Sequence, residues 1–121
     1  MNSTQYISVT NALENLENEV STENYNTIYA FINDVAAEGV GDSQQERQIY
    51  ALKTLLKKFS PKDFTLEGAT EQELKRIVAE LNRSDYAEST KSKIRGTLKK
   101  FYKIQNGGDE HPDKVSFFSV H

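Results

Sequence analysis

The chain has 121 residues, a formal net charge of −3 and no cysteine. The length fits one domain, and the missing thiols exclude disulfides, thiolate metal sites and a cysteine nucleophile. No stretch approaches the roughly 18 consecutive apolar residues of a membrane span, and no signal-peptide pattern opens the chain. We therefore expect a soluble cytoplasmic protein with no contact to a membrane.

The charges are unevenly distributed along the chain. Residues 1–42 contain seven acidic residues and no Lys or Arg, whereas residues 43–121 contain all 15 basic residues and 11 acidic ones. Such an asymmetry within one small domain indicates a molecule with a cationic working side.

The first 20 residues are the least decisive part of the chain. Residues 1–9 are polar and are predicted to be mobile, whereas Leu13, Leu16 and Val20 recur at helical spacing. This segment is either a short docking helix or a frayed tail.

A helix is predicted from about residue 22 to residue 38. Ile28, Ile32 and Val35 form its apolar stripe, Ser21 or Thr22 can cap its beginning, and Gly39 suits the left-handed position after its end. Its exposed charges are all negative, so it should face away from any polyanion.

A second helix is predicted from about residue 43 to residue 59, with Ser43 as its cap and Glu46 in a capping box. It carries a strip in which basic side chains are mixed with hydroxyl groups: Arg47, Tyr50, Lys53, Thr54 and Lys57. Each of these residues alone would be an ordinary surface residue, but together they suggest a binding face.

The next connection and a third helix are predicted to be structural. Pro61 ends the second helix, and Phe64 and Leu66 are expected to fill the core from a loop. Thr70 and Glu73 form a capping box that opens a helix to about residue 82.

The most basic stretch of the chain is residues 89–105, which contains no acidic residue. Ile94, Leu98 and Phe101 are predicted to face the core of a helix here, and Gly96 lies among the basic side chains. Those side chains are expected on the opposite arc or beside it: Lys91, Lys93, Arg95, Lys99, Lys100 and Lys103. The arc is either a solvated lysine face or a polyanion-binding face, and Gly96 either lets DNA approach the backbone or permits close helix packing.

No segment alternates with a period of two, and no hairpin signal is present, so we predict an all-α bundle of four main helices. No phosphate-binding loop, nucleophile elbow or metal-ligand cluster occurs, and we expect no cofactor, no metal and no catalysis by this chain alone. The closing segment carries an apolar cluster, Val115, Phe117 and Phe118, which is predicted to be exposed.

Several blocks of the chain resemble the N-terminal core-binding domain, the SAM-like domain, of phage-integrase-type tyrosine recombinases, especially the archaeal branch. The resemblance covers about residues 20–118. Its blocks are Ser21, Asn24, Ile28, Phe31-Ile32 and Glu38-Gly39-Val40; Arg47, Tyr50, Leu52-Lys53 and Leu55; Phe64 and Ala69-Thr70; then Tyr86, Thr90-Lys91, Leu98-Lys99, Phe101-Tyr102-Lys103, Pro112 and Val115. The family usually has Trp-Leu where this chain has Ile104-Gln105.

The resemblance implies a four-helix SAM-like bundle over residues 21–108, with residues 1–20 as an N-terminal segment and residues 109–121 as the start of a linker. It also implies a clamp on double-stranded DNA, formed with a catalytic domain of the same parent chain and with other recombinase protomers. Its DNA contacts would come from the second and fourth main helices: Arg47, Tyr50, Lys53 and Lys57, with Lys91, Lys93, Arg95, Lys99, Lys100 and Lys103.

Two other functions remain open from the sequence. A helical protein-interaction module would present a large apolar patch, for which Phe117 and Phe118 are the candidates, and would associate independently of salt. A small stand-alone DNA-binding regulator would share the basic helices but would have no recombinase domain after it.

Overall fold

The computed structural model describes residues 3–119, and the side chains from residue 8 onward. Five α-helices follow one another: α1 (Ser3–Glu19), α2 (Thr22–Ala37), α3 (Asp42–Lys58), α4 (Glu71–Arg83) and α5 (Glu88–Gln105). A short 3₁₀ turn, Asp113–Val115, follows α5. No strand occurs between residues 3 and 119, so the predicted all-α class is confirmed.

The helix α3 lies at the centre of the bundle and packs against α1, α2 and α5. Ile49, Leu52 and Leu55 are at most 2% exposed, because their three- and four-residue spacing places them on one face of the helix. The helix α4 packs against α5 and the 3₁₀ turn. The middle of the chain therefore organises the core, and both ends pack onto it.

The N-terminal segment is a docked helix. Its most extensive packing is against α3, where Leu16 is fully buried and Val9 is 7% exposed. The docking-helix interpretation is confirmed, and the helix is longer than predicted, because residues 3–9 are helical as well. The mobility of residues 1–9 stays a prediction. Met1 and Asn2 lie outside the described residues.

Three of the predicted helix-end signals are confirmed by hydrogen bonds or backbone angles, and one is wrong. The Ser21 hydroxyl accepts a hydrogen bond from the Asn24 amide, and Thr70 and Glu73 form the expected capping box at the start of α4. Gly39 has φ +97°, a conformation that glycine adopts without a Cβ penalty. The predicted Ser43 cap is wrong, because α3 begins one residue earlier and Gly41 occupies the cap position.

The loop between α3 and α4 is fixed from two helices. The buried Asn24 side chain of α2 donates to the Phe64 carbonyl and accepts from the Leu66 amide, both at 2.9 Å. From α5, the Tyr102 hydroxyl donates to the Leu66 carbonyl at 2.7 Å. Phe64 and Leu66 are 4% and 0% exposed, as predicted for core-filling loop residues.

The segment after α5 folds back onto the bundle. Val115 is fully buried, Phe118 is 9% exposed, and the Lys114 ammonium donates to the Ala69 carbonyl at 3.0 Å. The predicted exposed apolar cluster is therefore wrong, because Phe117 is half-buried against the same core. Part of the predicted linker thus belongs to the packed domain.

Candidate nucleic-acid interface

A surface groove of about 810 Å³ runs between α3 and α5. Residues spaced three or four apart line it from both helices, because that spacing brings side chains to one helix face. They include Gln44, Arg47, Gln48, Ala51 and Thr54 from α3, and Lys93, Gly96, Thr97 and Lys100 from α5. The groove therefore brings the two sequence-predicted basic helices together.

Cationic side chains outnumber acidic ones in this groove. Arg47, Lys93 and Lys100 line it, with Glu46 as the acidic residue. Arg47 and Lys93 have no ion-pair partner within the described part of the chain. The Lys100 ammonium lies 3.6 Å from a Glu38 carboxylate oxygen, but both side chains are at least 40% exposed, so solvent screens this pair.

Tyr50 stands at the same groove with 66% of its surface exposed. The Lys53 ammonium lies 5.3 Å from the centre of its ring, which is cation–π distance. An exposed phenol beside long basic side chains can donate a hydrogen bond to a phosphate oxygen. Tyr50 therefore extends the polar rim of the groove.

Two of the predicted DNA contacts are turned inward. Lys91 and Arg95 are each 9% exposed. Lys91 donates to the Asn82 carbonyl at 2.8 Å, while Arg95 donates to the Asn82 side-chain oxygen at 2.7 Å and to the Glu88 carboxylate at 3.2 Å. The expected position of Arg95 on the exposed arc is therefore wrong.

These two basic side chains complete the C-terminal end of α4. Asn82 lies in the last turn of that helix, where carbonyls have no intrahelical donor and carry partial negative charge. The spacing could have indicated this role, because Lys91 and Arg95 continue the buried stripe that includes Leu98 and Tyr102.

Two lysines of the polar strip on α3, Lys53 and Lys57, contact α1. The Lys53 ammonium donates to the Asn15 side-chain oxygen at 2.9 Å, and Lys57 forms an ion pair and hydrogen bond with Glu19. The hydrogen bond and charge of Lys57 hold the pKa of the Glu19 carboxyl below its usual value. Neither lysine lines the α3/α5 groove.

The last two predicted contacts also lie away from the groove. The Lys99 ammonium is 5.0 Å from the centre of the Phe118 ring, on the side of α5 that receives the C-terminal segment. Lys103 is half-buried in the last turn of α5. The structure therefore brings four of the ten predicted residues together in the groove: Arg47, Tyr50, Lys93 and Lys100.

The sequence reasoning missed the neutral polar walls of the groove. Gln48 is only 4% exposed, and its side-chain oxygen has no hydrogen-bond partner in the described region. Gln44, Thr90 and Thr97 also line the groove. Gly96 is half-buried there, a position compatible with both interpretations of this glycine.

We compared the chain with known protein families, curated proteins and solved structures. No protein family, curated protein or solved structure matches the chain. Within residues 3–119, no helix is long and apolar enough to cross a membrane. Over the same range, no group of three or more His, Cys, Asp or Glu side chains is arranged to hold a metal ion.

Proposed function

We propose that this protein is a double-stranded-DNA-binding module and that the α3/α5 groove is its contact surface. The observation that supports the proposal most is the meeting of Arg47, Lys93 and Lys100, from two helices, at one groove of an acidic protein. Basic side chains supply most of the affinity for duplex DNA through its phosphates, without reading the sequence.

A repeating polyanion fits this arrangement better than a single phosphate. The three cationic groups come from separate turns of two helices, and they do not share a buried, hydrogen-bonded pocket. Arg47 and Tyr50 are exposed at the rim, where they can contact a backbone without entering a cavity. A nucleic-acid strand offers successive phosphates to such a surface.

The resemblance to recombinase core-binding domains extends the proposal. In that family, the counterparts of α3 and α5 face the major groove, and the catalytic residues belong to a following domain. We therefore propose that this domain forms the non-catalytic half of a DNA clamp. The proposed contacts no longer include Lys91 and Arg95, whose side chains are engaged with α4.

Fluorescence anisotropy with a labelled duplex at two salt concentrations tests DNA binding. The wild-type chain should bind at low salt and lose affinity as salt rises. The charge-reversal variant Arg47→Glu/Lys93→Glu should bind at least about tenfold more weakly, because both side chains line the groove without an ion-pair partner in the described region.

A matched control reverses two exposed charges elsewhere. The variant Lys62→Glu/Arg76→Glu changes the net charge by the same amount, on the α3–α4 loop and on α4, and should bind nearly as tightly as wild type. Absence of binding to any duplex at low salt, or equal losses in both variants, would count against a DNA site in this groove.

The coding sequence that follows codon 121 separates recombination from stand-alone regulation. A catalytic domain with the recombinase Arg, His and Tyr residues would support the clamp. A stop codon or an unrelated domain would instead favour the regulator. The interaction-module alternative predicts an exposed apolar patch, and its candidates are not exposed as such, because Phe118 is buried and Phe117 is only partly exposed.

A further inference from the structure

A second groove, of about 450 Å³, lies between α2 and α5. Its rim carries three carboxylates, from Glu23 and Asp34 of α2 and from Glu67 in the α3–α4 loop. No Lys or Arg is among the residues that line it. The two sides of α5 therefore border grooves of opposite charge.

The negative charge of this groove is not neutralised within the described part of the chain. Glu23, Asp34 and Glu67 are exposed, and none of them has an ion-pair partner there. Gln105, the last residue of α5, also lines the groove, so the partial negative charge of that helix end lies nearby. The charge of this groove therefore favours a cationic ligand and disfavours a nucleic acid.

Four apolar residues, Ala30, Phe31, Phe101 and Ile104, line the groove between the carboxylates, beside the polar Asn26 and Thr27. Phe31 and Phe101 pack edge to face with ring centres 5.4 Å apart and lie almost fully buried at its base. Ala30 is exposed and Ile104 is half-buried beside them, so apolar surface remains open to an incoming side chain. Carboxylates around an apolar floor favour a ligand that is both cationic and apolar.

We propose that this α2/α5 groove docks a basic amphipathic segment of a partner protein. An apolar side chain of the segment would cover Ala30 and Ile104, while Lys or Arg side chains would reach the carboxylates of the rim. The segment should be basic because the carboxylates of the groove attract positive charge, which speeds its association and selects it over acidic segments. The proposal does not depend on DNA binding, because it uses different residues on the other side of α5.

The test begins with the 121-residue protein and a random dodecapeptide library. Peptides retained by the wild type should be enriched in Lys or Arg together with Leu, Ile or Phe. One enriched peptide is then labelled, and its affinity is measured by anisotropy for the wild type and for each variant. The variant Glu23→Gln/Asp34→Asn/Glu67→Gln should bind it about tenfold more weakly, from three rim contacts of modest strength.

A control variant separates the groove from the overall charge. Glu17→Gln/Asp85→Asn/Glu110→Gln removes three exposed carboxylates that do not line the groove and should leave the affinity within about twofold. The apolar floor is tested by Ala30→Ser and Ile104→Thr, each expected to weaken binding several-fold. Thermal unfolding checks that these four variants remain folded.

Three outcomes would overturn the proposal. One is an enriched pool without basic residues. Another is an equal loss of affinity in the groove and control variants, which would mean that net charge alone attracts the peptide. The third combines two results: spermidine displaces the peptide at an equal concentration of positive charge, and Ile104→Thr does not change the affinity for the peptide. Together they would assign the groove to small polyamines.

Discussion

Lys91, Lys93 and Arg95 show how near-identical residue types take different roles within one helical turn. Lys93 points into the α3/α5 groove, whereas Lys91 and Arg95 reach back to the last turn of α4. Their cations donate to the Asn82 carbonyl and to its side-chain oxygen, at the end of α4 where carbonyls lack intrahelical donors. The stability of the α4–α5 junction therefore depends on two charges of the basic helix.

Arg95→Gln and Lys93→Gln form a matched pair, since each removes one positive charge from α5. Arg95→Gln should lower the free energy of unfolding by about 1–2 kcal/mol, because its partly buried hydrogen bonds to Asn82 and Glu88 are lost. Lys93→Gln should change it by less than about 0.5 kcal/mol and should instead weaken DNA binding. Urea unfolding and duplex anisotropy measure both; a stable Arg95→Gln protein with weakened DNA binding would contradict this assignment.

Tyr102 makes stability sensitive to alkaline pH. Burial raises the pKa of its hydroxyl above the ordinary value of 10.0, and the negative charge of Glu73 adds to the shift. The unfolded chain therefore loses this proton first as the pH rises above 10.0. From there, stability should fall by up to about 1.4 kcal/mol per pH unit from this group.

The Tyr102→Phe variant tests this pH dependence. At neutral pH it should be less stable by about 1 kcal/mol, because the hydrogen bond to the Leu66 carbonyl is lost. Above pH 10.0 its stability should decline less steeply than that of the wild type. Urea unfolding at several pH values measures both effects, and parallel alkaline slopes in the two proteins would refute the role of Tyr102.

Among the elements, α1 has the closest relation to the candidate DNA surface without forming part of it. It contributes Leu16 to the core, and through Asn15 and Glu19 it holds Lys53 and Lys57 of α3. If the protein binds DNA as proposed, this acidic helix would compete with phosphates for the two lysines nearest to it. The basic strip on α3 is therefore divided between intramolecular contacts and the groove.

Glu19→Gln should raise DNA affinity by about two- to fivefold, because it removes a carboxylate and leaves the Lys57 ammonium free for a phosphate. The gain should disappear in the Glu19→Gln/Lys57→Gln double variant. Glu71→Gln is the control, because it breaks the Lys75 pair on α4 and removes the same charge. Equal gains in Glu19→Gln and Glu71→Gln would show a net-charge effect in place of released Lys57.

The bundle as a unit separates its charges across α5. The α3/α5 groove is lined by Arg47 and Lys93, and the α2/α5 groove by three carboxylates, and none of these groups has an ion-pair partner in the described region. A net charge of −3 therefore coexists with a locally positive surface. Such a molecule should orient on DNA with α2 directed away from the phosphates.

The number of groove cations that contact phosphates should set how steeply the affinity for DNA falls as salt rises. With about three phosphates neutralised, the logarithm of the association constant should fall with log salt at a slope of about −2.7. Arg47→Gln should reduce that slope by about 0.9, whereas Arg76→Gln on α4 should leave it unchanged. Anisotropy titrations at four or more salt concentrations measure the slopes; an unchanged slope in Arg47→Gln would remove that residue from the interface.

The helices were largely predictable from local signals. The apolar spacing in α2, α3, α4 and α5, the Thr70–Glu73 capping box and the left-handed Gly39 act within a few residues, so the sequence alone indicates them. The capping of α3 was mispredicted because Gly41 and Ser43 both suit a helix start, and only the observed backbone selects between them.

Whether a basic side chain is paired within the bundle or exposed in the groove depends on residues distant in the sequence. Lys91 and Arg95 meet Asn82 of α4, Lys57 meets Glu19 of α1, and no periodic pattern within one helix contains those partners. The sequence alone determined that the chain is helical and that its basic residues are concentrated on two of the helices. Only the tertiary structure decided which cations remain unpaired in a groove, because the desolvation and pairing of charges are set by contacts between helices.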